Sequence, residues 1–269
     1  MIVFPNCKIN LGLNIVRKRA DNFHDLETVF FPIPLKDILE IIPSNKLEFF
    51  ISGINIPGNT NDNLCLKAYH LLKKDFPNLP LIKIYLHKAI PTGAGLGGGS
   101  ADGAFMLKLL NEKFQLNLSS NQLINYASQL GSDCPFFIIN KPCFATSRGE
   151  ILEEIKLDLS NYSFVLINPK IHINTAWAFS QLTPQIPSTS VREIINEPIE
   201  KWKQFLKNDF ENAVLIKYPS LKIIKETLYS SGALYASMSG SGSSFYGIFE
   251  KNNLPQIRFE ENFEVVYLP

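Results

Sequence analysis

The sequence predicts an α+β fold of two layers, arranged in two units. Three observations carry this. Short strand-like segments crowd the first half of the chain, helix-period segments follow them, and the two do not alternate as a regular βαβ series. A second set of elements begins near Leu157. The 269 residues suffice for one large or two modest domains with a sizeable core.

The elements follow in order. Lys8 to Val16 places Ile9, Leu11, Leu13 and Ile15 on one side, the period of a strand. Ile38 to Ile42 and Leu47 to Ile51 read as further short strands. Asn61-Asp62-Asn63 is a start signal for a helix over Leu64 to Lys74. Leu81 to His87 alternates again, and a glycine-rich segment leads into a helix from about Ala101 to Phe114. Ser119 or Ser120 caps the next helix, which runs through Leu130. Phe136 to Asn140 and Cys143 to Ser147 are expected to be strands. In the second unit Tyr162 to Asn168 is an apolar strand, Thr175 to Leu182 a helix, and Leu182 to Ser190 a loop rich in Pro, Ser and Thr. Helical patterns cover Glu197 to Lys217 and Leu221 to Ser231. Strand-like runs at Ala233 to Ser237 and Ser244 to Glu250 flank Ser239-Gly240-Ser241-Gly242. The expected domains are 1-156 and 157-269.

Composition removes several function classes. A net charge of +1 provides no global field to attract nucleic acid or a membrane surface, so any anion site must be local. No apolar run approaches a membrane span, and Met1-Ile2-Val3-Phe4-Pro5 does not read as a secretory leader, so a cytoplasmic location is expected. Cys7, Cys65, Cys134 and Cys143 lack CxxC spacing and paired histidines, and read as reduced thiols without zinc. His24, His70, His87 and His172 are scattered, which disfavours a histidine-cluster metalloenzyme.

The most informative segment runs Pro91-Thr92-Gly93-Ala94-Gly95-Leu96-Gly97-Gly98-Gly99-Ser100-Ala101-Asp102, between a predicted strand and a predicted helix. Glycines let a backbone turn tightly and approach a ligand, and the free N–H groups of a helix start point at an anion. Ordering so many small residues without a ligand is costly, which disfavours a plain surface loop. A Walker A loop needs Lys and Ser/Thr after its last glycine, whereas Ser100 and Ala101 follow Gly99. Gly93-x-Gly95-x-x-Gly98 matches the dinucleotide fingerprint literally, but the acid expected about 20 residues on is missing. No Asp or Glu lies between Lys113 and Ser132, so a dinucleotide oxidoreductase is the runner-up.

Four further segments stand in register with this one. Asn6-Cys7-Lys8-Ile9-Asn10-Leu11-Gly12-Leu13 comes first, then Arg19-Ala20-Asp21-Asn22-Phe23-His24-Asp25-Leu26, Gly131-Ser132-Asp133-Cys134-Pro135-Phe136-Phe137 and Ser239-Gly240-Ser241-Gly242-Ser243-Ser244. Together the five resemble the motifs of the GHMP kinase superfamily over nearly the whole chain. The resemblance implies a two-lobed α+β fold, with an N-terminal ATP-side lobe, a ferredoxin-like C-terminal lobe and the active site between them. Within the superfamily, the Lys-Ile-Asn, Arg-Ala-Asp-x-aromatic-His and Gly-x-Asp-x-Pro set resembles the members acting on a cytidine-diphosphate-linked methylerythritol in non-mevalonate isoprenoid synthesis. The implied reaction passes the γ-phosphoryl of ATP to a hydroxyl of that small molecule. Mg²⁺ is implied by ATP chemistry.

The roles are carried over residue by residue. Asp133 is the implied general base; read alone, it is equally a turn or helix-capping Asp. Lys8, read alone, lies on the solvent face of an alternating strand; the resemblance places it beside Asp133, where a cation favours charge developing on the acceptor oxygen. Asn10 shares the strand face of Lys8 and is expected to orient the acceptor hydroxyl or a phosphate. His24 is expected to hydrogen-bond the cytosine edge and Phe23 to stack on the base, a contact worth about 1–3 kcal/mol. Phe179 is either the opposing stacking face or a buried helix residue beside Trp177, and Thr175 is expected to line the same pocket. ATP is implied to lie against Pro91, Thr92, Gly93, Ala94, Gly95, Leu96, Gly97, Gly98, Gly99, Ser100 and Ala101. Asn63 and Lys88 align near the adenine or ribose, although each alone reads as a helix cap and a surface lysine. Gly240 and Gly242 are expected to let the third motif approach the phosphates, which is compatible with a hairpin turn between two strands.

Where the enzymes it resembles commonly have a glycine-rich turn before Gly149-Glu150, this sequence has Thr146-Ser147-Arg148, so Arg148 either touches a phosphate or points to solvent. Another acceptor of this superfamily, such as mevalonate, homoserine or a sugar, is disfavoured because it has no base to stack on Phe23. A non-catalytic nucleotide-binding module would need neither Lys8 nor Asp133.

Overall fold

The structure, a computed structural model, describes residues 1–251, 253–259 and 262–268. Strand β1 (Ile2–Val3) is brief, and β2 (Asn6–Lys18) is long. All of residues 6–13 in β2 are buried, the polar Asn6, Lys8 and Asn10 along with the apolar face. β3 (His24–Lys36) follows, then β4 (Ile38–Pro43) and β5 (Glu48–Gly53). Helix α1 (Leu64–Asp75) starts where Asn63 Oδ1 accepts from Cys65 N at 2.9 Å. β6 (Ile82–Lys88) turns Ile82, Ile84, Leu86 and Lys88 to its buried side.

Helix α2 (Gly98–Lys113) begins three residues before the predicted start, directly after Gly97, whose φ is +69°. α3 (Ser120–Leu130) has Ser119 as its cap, in a reciprocal capping box with Gln122. The expected strand at Phe136 to Asn140 is instead helix α4 (Cys134–Ile139). The run Phe136-Phe137-Ile138-Ile139 is too short for periodicity to separate strand from helix, and Pro135 in the first turn favours a helix start. Phe136 and Phe137 are fully buried, each worth about 1.5–3 kcal/mol of apolar transfer.

Strands β7 (Cys143–Ser147), β8 (Ile151–Glu154) and β9 (Tyr162–Asn168) follow. β7 pairs antiparallel with residues Leu26 to Phe30 of β3. Pro32 and Pro34 lie outside that stretch, so they remove no hydrogen bond from this pairing. The expected helix at Thr175 is α5 (Thr175–Ser180), capped by Asn174. The helical pattern from Glu197 to Lys217 is divided into α7 (Ile199–Phe205) and α8 (Phe210–Lys217), after a short α6 (Val191–Ile194). α9 (Lys222–Ser230), β10 (Tyr235–Met238), β11 (Phe245–Glu250) and β12 (Glu264–Leu268) complete the described elements.

The chain divides into two units with interleaved segments. The first comprises Met1–Lys8, Pro32–Thr92 and Gly97–Lys141. It holds the sheet β1-β4-β6-β5, in which β5 runs parallel to β6, together with α1, α2, α3 and α4. The second comprises Ile9–Phe31, Gly93–Leu96 and Pro142–Pro269. It holds the antiparallel sheet β10-β11-β9-β12, with α9 laid on β10 and β11. Its core gathers Ile15, Val165, Ile167, Phe210, Ile224, Leu228 and Phe245. No helix among the described residues is long and apolar enough to cross a membrane.

Candidate functional site

The glycine segment owes its path to backbone conformations that suit glycine. Gly93, Gly95 and Gly97 have φ of +68°, +81° and +69°. A Cβ on Gly95 would stand 2.0 Å from the carbonyl oxygen of Ser239, so a side chain there is excluded. In the second unit, Ser239 Oγ donates to Gly95 O at 2.8 Å, and Ser244 N donates to Ala94 O at 3.1 Å. Asn10 N donates to Ser239 Oγ at 3.3 Å, and a Cβ on Gly240 would lie 3.2 Å from Gly95 O. Asn10, Gly95 and Gly240, far apart in sequence, therefore lie close together. Gly242 closes the turn, its N–H donating to Ser239 O at 3.0 Å with φ at +95°. Asn10 is 2% exposed, and its Nδ2 donates to Thr28 Oγ1 at 3.0 Å.

In the first unit the segment continues as the start of α2. Its first intrahelical bond runs from Ala101 N to Gly97 O at 2.9 Å, which leaves the N–H groups of Gly98, Gly99 and Ser100 without an intrahelical acceptor. Those groups and the helix dipole favour an anion. Pro91, Leu96 and Ala101 are buried, as is Ala94, so these four present backbone rather than side chain; Thr92 and Gly99 are exposed.

Lys8 and Asp133 come together in the first unit, Nζ to Oδ2 at 3.4 Å. The Lys8 side chain is 5% exposed and that of Asp133 31%, so the solvent-face reading of Lys8 does not hold. Asp133 precedes α4 but makes no side-chain capping bond, so its carboxylate is not occupied as a helix cap. A Cβ on Gly97 would stand 3.3 Å from Lys8 Cε and 3.0 Å from the Phe137 ring. The end of the glycine segment thus abuts the lysine of the ion pair.

The second unit holds the aromatic residues. Arg19 bonds Asp21 through Nε, at 3.2 and 3.1 Å, and Nη1 donates to Asp25 Oδ1 and Ser147 Oγ, each at 3.0 Å. Asp21 Oδ1 accepts from Phe23 N at 3.1 Å. The Arg-Ala-Asp residues therefore build the turn that presents Phe23 and His24. Phe23 is 54% exposed. The Phe179 ring is stacked on His24, with centroids 4.9 Å apart and planes at 18°, and meets Phe210 edge-on. Burial, then Lys18, lowers the His24 pKa, which keeps the imidazole neutral with one donor and one acceptor. Thr175 Oγ1 is 3.1 Å from Ser241 Oγ. The Arg148 guanidinium lies 4.9 Å from the centre of the Phe23 ring and bonds Glu150 through Nε at 3.3 Å.

Two expected nucleotide residues are differently disposed. Asn63 is the cap of α1. Lys88 is no surface lysine: it is 2% exposed and paired with Asp37 and Asp102. Sequence reasoning missed both of these acids, since they lie 51 and 14 residues from Lys88 with no shared motif. Among the described residues no group of three or more His, Cys, Asp or Glu could hold a metal ion. Magnesium bound to nucleotide needs no such cage, because phosphates and water supply most of its ligands.

Comparison with known proteins adds independent findings. The models for the GHMP kinases N terminal domain and the GHMP kinases C terminal match residues 63–141 and 190–260. A 4-diphosphocytidyl-2-C-methyl-D-erythritol kinase of Bacteroides fragilis is 52% identical over 268 residues, covering 98% of this chain and 97% of that protein. The kinase of the same description from Cytophaga hutchinsonii is 48% identical over 263 residues, covering 97% and 96%. A crystal structure of 4-(cytidine 5'-diphospho)-2C-methyl-D-erythritol kinase superposes with a TM-score of 0.80 at 29% identity, over 92% of this chain and 90% of that one. A homoserine kinase from Cytophaga hutchinsonii, at 17% identity and a TM-score of 0.67 over 92% and 85%, shares the fold.

Proposed function

Because this chain belongs to the GHMP kinases, we propose that it uses ATP to phosphorylate the C2 hydroxyl of 4-diphosphocytidyl-2-C-methyl-D-erythritol, in non-mevalonate isoprenoid precursor synthesis. The observation that carries the reaction type is the Lys8–Asp133 pair against the end of the glycine segment. Asp133 Oδ accepts the proton of the acceptor hydroxyl. As that O–H bond breaks, the oxygen forms a bond to the γ-phosphorus, the bond to the bridging oxygen breaks, and ADP leaves with the electron pair. The Lys8 ammonium favours negative charge developing on the acceptor oxygen. The N–H groups at the start of α2 hold phosphate oxygens, with magnesium entering as part of the nucleotide.

The aromatic residues carry the choice of acceptor. The exposed Phe23 ring offers the cytosine a stacking face, and His24, held in place by Phe179, offers ring nitrogens to its edge. Asn10 and Thr175 line the region of the third motif, where Gly240 and Gly242 keep the backbone slim. Asn63 and Lys88 support the nucleotide side. The division at 156/157 remains our domain assignment, with the two family-model matches on either side of it. Four buried free cysteines suit a reducing cytoplasm.

The test is ADP release from Mg·ATP with 4-diphosphocytidyl-2-C-methyl-D-erythritol, set beside mevalonate and homoserine. Release with the cytidyl acceptor alone is expected. Release with one of the other two would retain the kinase chemistry and discard the cytosine pocket.

A further inference from the structure

The first unit contains a charge cluster that the reaction does not use. Lys88 is the last residue of β6, Asp37 directly precedes β4, and Asp102 lies in the second turn of α2. Lys88 Nζ donates to Asp37 Oδ2 and, at 2.7 Å, to Asp102 Oδ2. All three residues are 0–2% exposed. The other oxygen of Asp37 accepts from the backbone N–H groups of Ala89 and Ile90, at 2.6 and 2.8 Å, and Asp37 N donates to Pro5 O at 2.8 Å. The cluster therefore grips the chain at residues 88–90, where it enters the glycine segment, and at residue 102, where it has left it. Gly98 makes room for it: a Cβ there would stand 2.7 Å from Ile90 Cγ2 and 3.4 Å from Lys88 Nζ.

We propose that Asp37, Lys88 and Asp102 form a buried clamp that fixes the entry and exit of the glycine segment relative to one another, and that Lys88 serves the nucleotide through this clamp rather than by touching it. The proposal rests on the reading of that segment as an ATP site. Four features favour a positioning role over plain stability. An ion cluster away from water is a poor source of stability compared with apolar residues of the same volume, so its merit lies in fixed geometry. Asp37 holds the backbone itself, through two N–H groups, at the residues that lead into the segment. Lys88 commits donors to two carboxyl groups while almost fully buried, which turns its charge inward. Asp102 Oδ1 is also buried without a hydrogen-bond partner, a cost that this acid bears for the sake of its contact with Lys88.

The test measures kcat and both KM values for Asp37→Asn, Lys88→Met and the double variant Asp37→Asn/Lys88→Met, with folding followed by thermal melting. Displacing a phosphate cradle by about 1 Å costs up to about 10²-fold, so kcat/KM for ATP should fall about 10–100-fold in each single variant. KM for the cytidyl acceptor should stay within about twofold, a split that a loss of stability alone would not produce. The double variant removes both charges at once and should recover part of the loss. Lys88→Arg, which keeps the charge, should retain more ATP affinity than Lys88→Met. Loss with Lys88→Met but none with Asp37→Asn would overturn the clamp and make Lys88 a direct ligand. Parallel increases in both KM values would overturn it in favour of a structural role. A wild-type chain that fails to bind a fluorescent ATP analogue would refute the kinase reading and the clamp's nucleotide role with it. Where Lys88→Met does not fold, Asp37→Asn decides the matter: a fall in kcat/KM for ATP with an unchanged KM for the acceptor supports the clamp, and an unchanged kcat/KM for ATP overturns it.

Discussion

Replacing Gly99 by alanine should raise stability and lower ATP affinity together. Gly99 is the second residue of α2, is exposed, and has nothing within 4 Å of the place its Cβ would occupy. Its φ lies outside the left-handed range, so no conformation is forbidden to alanine there. On folding, glycine in a helix costs about 0.5–1 kcal/mol relative to alanine. At the helix start we take the lower end, about 0.5 kcal/mol. For a chain of this size that raises the melting temperature by about 1–2 °C. Packing gives no reason for the glycine, but a phosphate does. If an oxygen sits within hydrogen-bonding distance of these N–H groups, the methyl group holds it off. Losing one hydrogen bond to a charged partner costs about 1.5–3 kcal/mol, which is about ten- to a hundredfold in KM for ATP. The assays are thermal melting without nucleotide and steady-state kinetics at saturating acceptor. An unchanged KM for ATP would show that no ligand approaches Gly99 closely. A melting temperature several degrees lower would show that the space around it is not open.

Gly95→Ala should do the opposite in the second unit. The added methyl group meets Ser239 O at 2.0 Å from a backbone at φ +81°, and strain plus overpacking should cost about 2–5 kcal/mol in denaturant unfolding; a loss below about 1 kcal/mol would contradict the close approach. Asp133→Asn keeps the shape of the side chain and removes the base, so kcat should fall about 10²–10⁴-fold with KM for the acceptor nearly unchanged, and a kcat within tenfold of wild type would reject Asp133 as the base. The third concerns pH. Burial, opposed by Lys88, pushes the Asp102 carboxyl up to about 8, whereas an unfolded aspartate titrates near 3.8. Between those values the folded chain binds the extra proton, so stability should fall as pH rises from about 4 to about 8. Asp37, Lys88 and, on α1, Cys65 face the same cluster. Asp102→Asn should flatten that dependence in melts across the range, and an unaltered slope would assign it to other groups.

Much of this was legible in the sequence where local chemistry decides. Asn63, within the expected start signal, and Ser119, one of the two serines expected to cap, hold the starts of α1 and α3, and the alternation of Ile82, Ile84 and Leu86 is that of β6. Legibility failed where tertiary context decides. Phe136 to Ile139 has no period long enough to choose helix over strand, and its burial against α2 and α3 settles the matter. Long β3 was hidden by Pro32 and Pro34, which local rules count against a strand. At the site, the turn built by Arg19 and Asp21 follows from residues two and six apart. The clamp on Lys88 does not, because pairing over 51 residues leaves no local pattern.

The bond from Ser239 to Gly95 spans 144 residues, and β2 from Ile9 onward belongs to the same unit as the segments after Pro142. This has a consequence in time. A chain emerging from the ribosome carries its glycine segment and its first long strand well before the residues that hold them exist. Contacts so distant in sequence are slow to form. The path of the glycine segment is therefore among the last parts of the molecule to be completed, and an N-terminal fragment that stops short of Ser239 lacks the partner that sets the path of Gly95.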